Sequence, residues 1–209
     1  MDADSRSEGM RVRGPLGKLS GVGGNGGEGD LVRFRGRVID LTQEQVRLPN
    51  GQVAELEIIH HPGGAAVVAL DDAGRVCLLR QYRYAAGGWL WELPAGKIDH
   101  EEPPLATARR ELREEAGREA RQWRELGYIH SSPGIFTEVI HLYLAQDLVV
   151  TPMGHELAEV IEVHWLPLAL ALQRCHDGSI TDSKTLVGLF RAQGILAQEA
   201  GDVGMCQAG

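Results

Sequence analysis

Cysteine is scarce: Cys77, Cys175 and Cys206 are the three in 209 residues. Far apart and odd in number, they build neither a disulfide framework nor a zinc knuckle and read as incidental or buried thiols in a reducing compartment. Positive charge is also short, with 21 Lys plus Arg against 29 Asp plus Glu and a formal net charge of −8. That balance excludes electrostatic capture of nucleic acid or of an anionic membrane as the main task. It also means that an anionic substrate needs a bound cation or a local arginine cluster. No window approaches about 18 consecutive apolar residues, so no segment reads as a bilayer span. The acidic start MDADSRSEGM lacks the apolar core of a secretory signal. No H-x3-H or H-E-x-x-H spacing occurs, so the histidines do not read as a zinc site. The expectation is a cytoplasmic protein without nucleic-acid or membrane partners.

What is present is an ordinary globular mixture, 43% hydrophobic and 24% charged, of a size suited to one domain. Glycine is abundant, with 27 in all and nine within the first thirty residues. Gly21 to Gly26 spells G-x-G-x-x-G, but Pro15, Gly17 and Ser20 precede it and Glu28, Gly29 and Asp30 follow. A dinucleotide-binding turn needs a strand before it and a helix after it. The match is coincidental, and residues 1–30 read as a flexible Gly-rich tail.

Order is expected from Leu31. Leu31–Leu41 and Gln45–Leu48 read as extended, Pro49-Asn50-Gly51 as a hairpin turn, and Val53–His60 as an alternating strand. These make a small N-terminal antiparallel sheet over residues 31–61. Further strands are expected at Ala65–Leu70, Val76–Arg80, Trp89–Glu92, Trp123–Ile129, Val139–Leu148 and Val160–Leu166. Helices are expected from Pro103 or Pro104 to Gly117, over Leu168–His176 and over Ser183–Gln198. Strands outnumber helices without strict alternation, which favours a mixed α+β sandwich over residues 62–200, with 201–209 a flexible C-terminus.

The chemistry concentrates in Gly96–Arg118, GKIDHEEPPLATARRELREEAGR. On a helix, Leu105, Ala108, Leu112 and Ala116 form one apolar stripe, while Glu111, Glu114 and Glu115 gather on a neighbouring face. Like charges at this spacing repel by a few tenths of a kcal/mol per pair, so something positive should offset them. Arg110 or Arg113 can do part of this, and carboxylate oxygens beside a cleft are the ligands Mg²⁺ prefers. Most Glu/Arg-rich helices only present a solvated face. Here, however, Gly96, Glu102, Arg110-Glu111-Leu112, Glu114-Glu115 and Gly117 reproduce G-x5-E-x7-R-E-U-x-E-E-x-G-U, with Arg118 departing at the last hydrophobic place. Seven specified residues at fixed spacing recur by accident about once in 10⁸ starts, at roughly one in fifteen per residue.

This segment resembles the Nudix box, the signature of the Nudix hydrolases. The resemblance implies a Nudix-type α/β/α sandwich with a mixed sheet and metal-assisted hydrolysis of a diphosphate. It makes Glu111 and Glu115 the main metal ligands, with Glu114 a direct or water-mediated ligand or a sharer in catalysis. The Ala95 carbonyl would be a further ligand. The implied cofactor is Mg²⁺, with Mn²⁺ a possible substitute, and Gly96, Glu102, Arg110 and Gly117 are structural in the motif.

Two flanking signals, Trp91-Glu92-Leu93-Pro94-Ala95-Gly96 and Ser131-Ser132-Pro133-Gly134, resemble the ADP-ribose pyrophosphatase branch of that family, as does Gln81-Tyr82-Arg83. In that branch the arginine meets a phosphate, so Arg83, Glu92, Pro133 and Gly134 are implied substrate-binding residues; a guanidinium fork suits phosphate oxygens. By spacing alone, Glu138 is equally a polar residue at a strand start. The resemblance gives it a role as metal ligand or general base, and a mobile loop suits a base. Glu156 and Glu159 are weaker metal candidates, while Trp89 and Trp91 could stack on a base or belong to the core. A three-stranded sheet with open edges needs a partner surface, and the branch exchanges this segment between subunits, so a homodimer is expected. The expected reaction is hydrolysis of ADP-ribose to AMP and ribose 5-phosphate. GDP-mannose or another nucleoside-diphosphate sugar is the alternative substrate, and a non-catalytic nucleotide sensor is the alternative of a different class.

Overall fold

The run GAAVVA at Gly64–Ala69 is buried along its whole length, as a central strand of small and β-branched residues should be. In the computed structural model, which describes residues 31–154 and 160–206 (side chains to residue 200), this strand is β4. It runs parallel to β9 (Val139–Val150) and antiparallel to β7 (Ala95–Lys97). With β8 (Arg118–His130) it forms a mixed sheet of order β7-β4-β9-β8. A second sheet has β5 (Arg75–Arg83) between β10 (Ile161–Pro167) and β6 (Gly88–Glu92). The two are linked by a bridge between Leu70 and Val76.

Alternation along the strands sorts the core into two faces. Ala65, Val67, Ala69, Cys77, Leu79, Tyr143 and Ala145 pack with Ala108, Leu112 and Ala116 of α1 (Pro104–Ala116). The intervening residues Ala66, Val68, Leu78, Leu142 and Leu144 pack against α2 (Leu168–His176) and α3 (Ser183–Cys206) through Ala171, Leu172, Leu189 and Ala192. Helices therefore cover both faces of the mixed strand layer, as the sequence predicts. Burial pushes the Cys77 thiol up to about 12, consistent with an inert core cysteine.

Residues 31–60 form a separate sheet, β1 (Leu31–Arg35), β2 (Asp40–Arg47) and β3 (Val53–His60), paired antiparallel in that order. Asn50-Gly51 makes the turn between β2 and β3, with Gly51 at φ +85°. The expected single extended run Leu31–Leu41 is instead two strands. Gly36 N–H bonds the Ile39 carbonyl at 2.8 Å, and a side chain at Gly36 would meet that carbonyl at 2.9 Å.

Two strands depart from expectation because pairing rather than local pattern makes them, and one helix runs longer than expected. The strand β7 has no β signature in Ala-Gly-Lys and exists as an edge on β4. The strand β8 starts at Arg118, ahead of the expected Trp123, because its polar first half follows β9 from Val150 backwards. The helix α3 continues to Cys206, into the segment expected to be a C-terminal tail. The tail 1–30, Glu156 and Glu159 lie outside the described residues. Among the described residues no helix is long and apolar enough to cross a membrane.

Candidate active site

The box helix α1 begins with Pro104 in its first turn and ends at Gly117, whose φ of +59° closes the last turn with an N–H bond to Arg113 O at 3.0 Å. A side chain at Gly117 would be strained and would meet Met153 Cγ at 2.5 Å. Packing of Leu112 and its neighbours turns Glu111 and Glu115 inward, at 8% and 1% exposure. Glu115 accepts the Ala95 N–H at 2.8 Å, tying the helix to β7. The absence of a side chain at Gly96 is enforced from the same helix, because a Cβ there would collide with the Glu111 carboxylate.

Arg110 resolves the repulsion among these acids. Its Nη1 donates to Glu111 at 2.6 Å and to Glu114 at 3.3 Å; its Nη2 donates to Glu102 at 3.2 Å and to the Lys97 carbonyl at 3.2 Å. Burial disfavours the guanidinium charge, but Glu102 and Glu111 more than offset it, so its pKa moves upward. Glu102 is itself held by the Thr107 hydroxyl at 2.8 Å. In this arrangement Glu111 and Glu114 face Arg110, and no ready group of three or more His, Cys, Asp or Glu ligands exists among the described residues. The donor set nonetheless fits a hard divalent cation. Glu111 and Glu114 open with Asp99 and the Gly96-Lys97 backbone to a hollow of about 180 Å³, where a side chain at Gly96 would collide with Glu111, while Glu115 stands behind on the Ala95 N–H.

Across the Gly96-Lys97 strip lies a larger cleft of about 410 Å³, lined among others by Glu138, His61, Arg83, Ala95 and Lys184. Arg83 enters it from the end of β5. Its Nε and Nη2 donate to Glu92 at 2.8 and 2.9 Å, a fork-to-carboxylate pair. Lys184 joins the same carboxylate and reaches Asp182 at 3.0 Å. Asp182 also caps α3, accepting the Thr185 N–H at 3.0 Å. Burial alone would raise the Glu92 pKa, but Arg83 and Lys184 prevail and hold it at about 2. The Ser131 hydroxyl in this cleft is buried and has no hydrogen-bond partner.

Of the sequence-predicted residues, Arg83, Ala95, Gly96 and Glu138 line the larger cleft and Glu111 and Glu114 the adjoining hollow. Glu115 and Glu92 stand behind, and Glu92 supports Arg83 from below the cleft wall. Pro133 and Gly134, expected to bind substrate, lie exposed on the loop between β8 and β9 and do not line the cleft. Lys184 and His61 were not singled out from sequence. The Asp182-x-x-Thr185 cap was a readable signal for the α3 start, but nothing local paired Lys184 with Glu92, ninety-two positions away.

A family model described as the NUDIX domain matches residues 60–185, and the chain belongs to that family as a Nudix hydrolase. The protein named ADP-ribose pyrophosphatase in Mycobacterium tuberculosis is 38% identical over 163 residues, covering 77% of this chain and 79% of that protein. The one so named in Bacillus subtilis is 39% identical over 154 residues, covering 73% and 83%. A GDP-mannose pyrophosphatase of Klebsiella pneumoniae is 35% identical over 159 residues, covering 71% and 80%. A solved structure described as an ADP compounds hydrolase superposes with a TM-score of 0.71 at 22% identity, over 81% of this chain and 92% of that one; it bears out the fold.

Proposed function

We propose that this Nudix hydrolase cleaves the pyrophosphate of ADP-ribose to AMP and ribose 5-phosphate, using Mg²⁺ or, in its place, Mn²⁺. The observation that carries the reading is the adjacency of an acidic hollow and a cleft with Arg83 and Glu138 on its wall. Glu111, Glu114, Glu115 and the Ala95 carbonyl would hold the cation. Bound there, it supplies charge neutralisation and Lewis acidity toward a diphosphate.

The chain's own residues do the rest. Arg83 is fixed by Glu92 through two of its nitrogens and presents its Nη1 edge to a phosphate. Glu138 receives the proton of the attacking water as the water oxygen bonds phosphorus and the bridging P–O bond breaks. Arg110 supplies the positive charge that lets the box acids share one helix face. Glu102, Gly96 and Gly117 keep that face in place, and Pro133 and Gly134 carry the loop that bears Glu138.

Two extensions accompany this reading. Leu31, Val32, Phe34, Val53 and Leu56 leave the N-terminal sheet with exposed apolar side chains, which supports a homodimer formed through residues 31–61. Light scattering at micromolar concentration is expected to give twice the 22.8 kDa chain mass; a monodisperse monomer would refute it. A cytoplasmic location follows the same reading.

The test is product release with Mg²⁺ from ADP-ribose, GDP-mannose, NADH and diadenosine polyphosphates, with EDTA as control. AMP released fastest from ADP-ribose and abolished by EDTA is expected. Preference for GDP-mannose, the compound in the Klebsiella relative's name, would keep the chemistry and change the substrate. Tight nucleotide binding without turnover would establish the sensor reading.

A further inference from the structure

The loop Ser131–Glu138 would be expected to hang freely between β8 and β9, yet it is stitched to the far end of the N-terminal sheet. Ile59 N–H donates to the Ile135 carbonyl at 2.7 Å, and Thr137 N–H to the Ile59 carbonyl at 2.9 Å. His61 N–H donates to the Thr137 hydroxyl at 3.0 Å, and the His61 ring lies against Phe136 with centroids 5.2 Å apart. Together these contacts deliver the His61 ring to the cleft beside Glu138, Nδ1 to Oε1 at 3.4 Å, with the two side chains only 11% and 19% exposed.

The ring itself is held. Gly63 N–H donates to Nδ1 at 3.1 Å, and Gly63 sits at φ +95°, where a side chain would be strained and would meet the Val139 carbonyl at 2.9 Å. Because the Gly63 N–H occupies the Nδ1 lone pair, the 3.4 Å approach to Glu138 is a near contact and not a closed hydrogen bond. Two acceptors facing each other repel, so the ring is a wall that turns the carboxylate toward the cleft and not a partner that holds it, which leaves the carboxylate able to reach a substrate water.

We infer that His61 is the positioning residue for Glu138, so that the end of β3 sets the geometry of the loop carrying the base. This rests on the reading of Glu138 as base. A residue that merely packs would behave differently, and two substitutions separate the cases. His61→Phe keeps a ring against Phe136 and removes the nitrogen; His61→Asn keeps a polar atom near the Nδ1 position and removes the ring.

The experiment is steady-state hydrolysis of ADP-ribose with Mg²⁺ by the full chain, alongside melting temperatures, in wild type, both variants, Glu138→Gln and the His61→Phe/Glu138→Gln double variant. His61→Phe is expected to lose about tenfold or more in kcat with KM within about twofold, since small misplacements of a reacting group carry costs of this order. His61→Asn should retain most of the activity, and His61→Phe should add little once Glu138 is already Gln. If the Phe variant does not fold, His61→Leu carries the same expectation. His61→Phe as active as wild type, or His61→Asn as impaired as His61→Phe, overturns the assignment of His61. An active Glu138→Gln overturns instead the reading of Glu138, so the two failures are distinguishable.

Discussion

Two arginines stand among carboxylates in this molecule, and their surroundings give them different tasks. Arg83 meets one carboxylate, Glu92, through a two-pronged pair, and Lys184 and Asp182 complete an alternating set with Glu92 2% exposed. Arg110 instead divides its bonds among three carboxylates, gripping Glu102 through Nε and Nη2 and reaching Glu111 and Glu114 through Nη1; their side chains are 20%, 10% and 32% exposed. A network anchored on a buried carboxylate is costly to disturb and serves to aim the 41% exposed Arg83 side chain. A more open one, in which one cation serves three anions, leaves oxygens that can exchange partners. The first suits phosphate recognition and the second suits a divalent cation.

The contrast predicts a graded series. Glu115→Gln removes a proposed ligand without changing shape; turnover should fall by about 10³-fold with the melting temperature nearly unchanged. Full activity at saturating Mg²⁺ would refute the metal assignment. Glu138→Gln should lower kcat by about 10²-fold with little change in ground-state affinity, and a pure rise in KM would show another role. Glu92→Gln should act chiefly on stability and on KM, raising KM about tenfold as Arg83 loses its aim. Because Arg83 is 41% exposed, water takes up part of its loss, and the stability cost should fall below that of a fully buried pair, readable by denaturant titration.

Glu92 also gives a pH signature. Its pKa falls from the ordinary 4.5 to about 2 on folding, so the unfolded chain binds more protons between those values. The contribution is present above pH 4.5 and is lost as pH falls through about 2. At 1.36 kcal/mol per pKa unit it amounts to about 3 kcal/mol. Denaturant titrations from pH 5 to 2 should show a stability slope that is shallower in Glu92→Gln; parallel slopes would contradict the buried pair.

The box was legible because its information is local. Helical spacing puts Glu111, Glu114 and Glu115 together, and the stripe Leu105, Ala108, Leu112 and Ala116 tells which face is buried. Arg110 was readable as a partner but not as the hub that also grips the Lys97 carbonyl, since β7 has no sequence pattern of its own. Glu92, expected to bind substrate, is buried behind the cleft wall, where Arg83 and Lys184 of α3 hold its carboxylate. His61 escaped for the same reason, because its neighbour Glu138 arrives from a loop that β3 holds by backbone bonds. Residues set by their own helix could be read from spacing; Arg83 and Glu138 came from the family resemblance, and Lys184 and His61, paired by distant elements, came from neither.

The most direct test of the two-network account is Mn²⁺ binding, followed by electron paramagnetic resonance in the absence of nucleotide, in wild type, Glu115→Gln and Glu92→Gln. Glu115→Gln is expected to lose bound Mn²⁺ while Glu92→Gln binds it as wild type does. Loss in Glu92→Gln with retention in Glu115→Gln would contradict it.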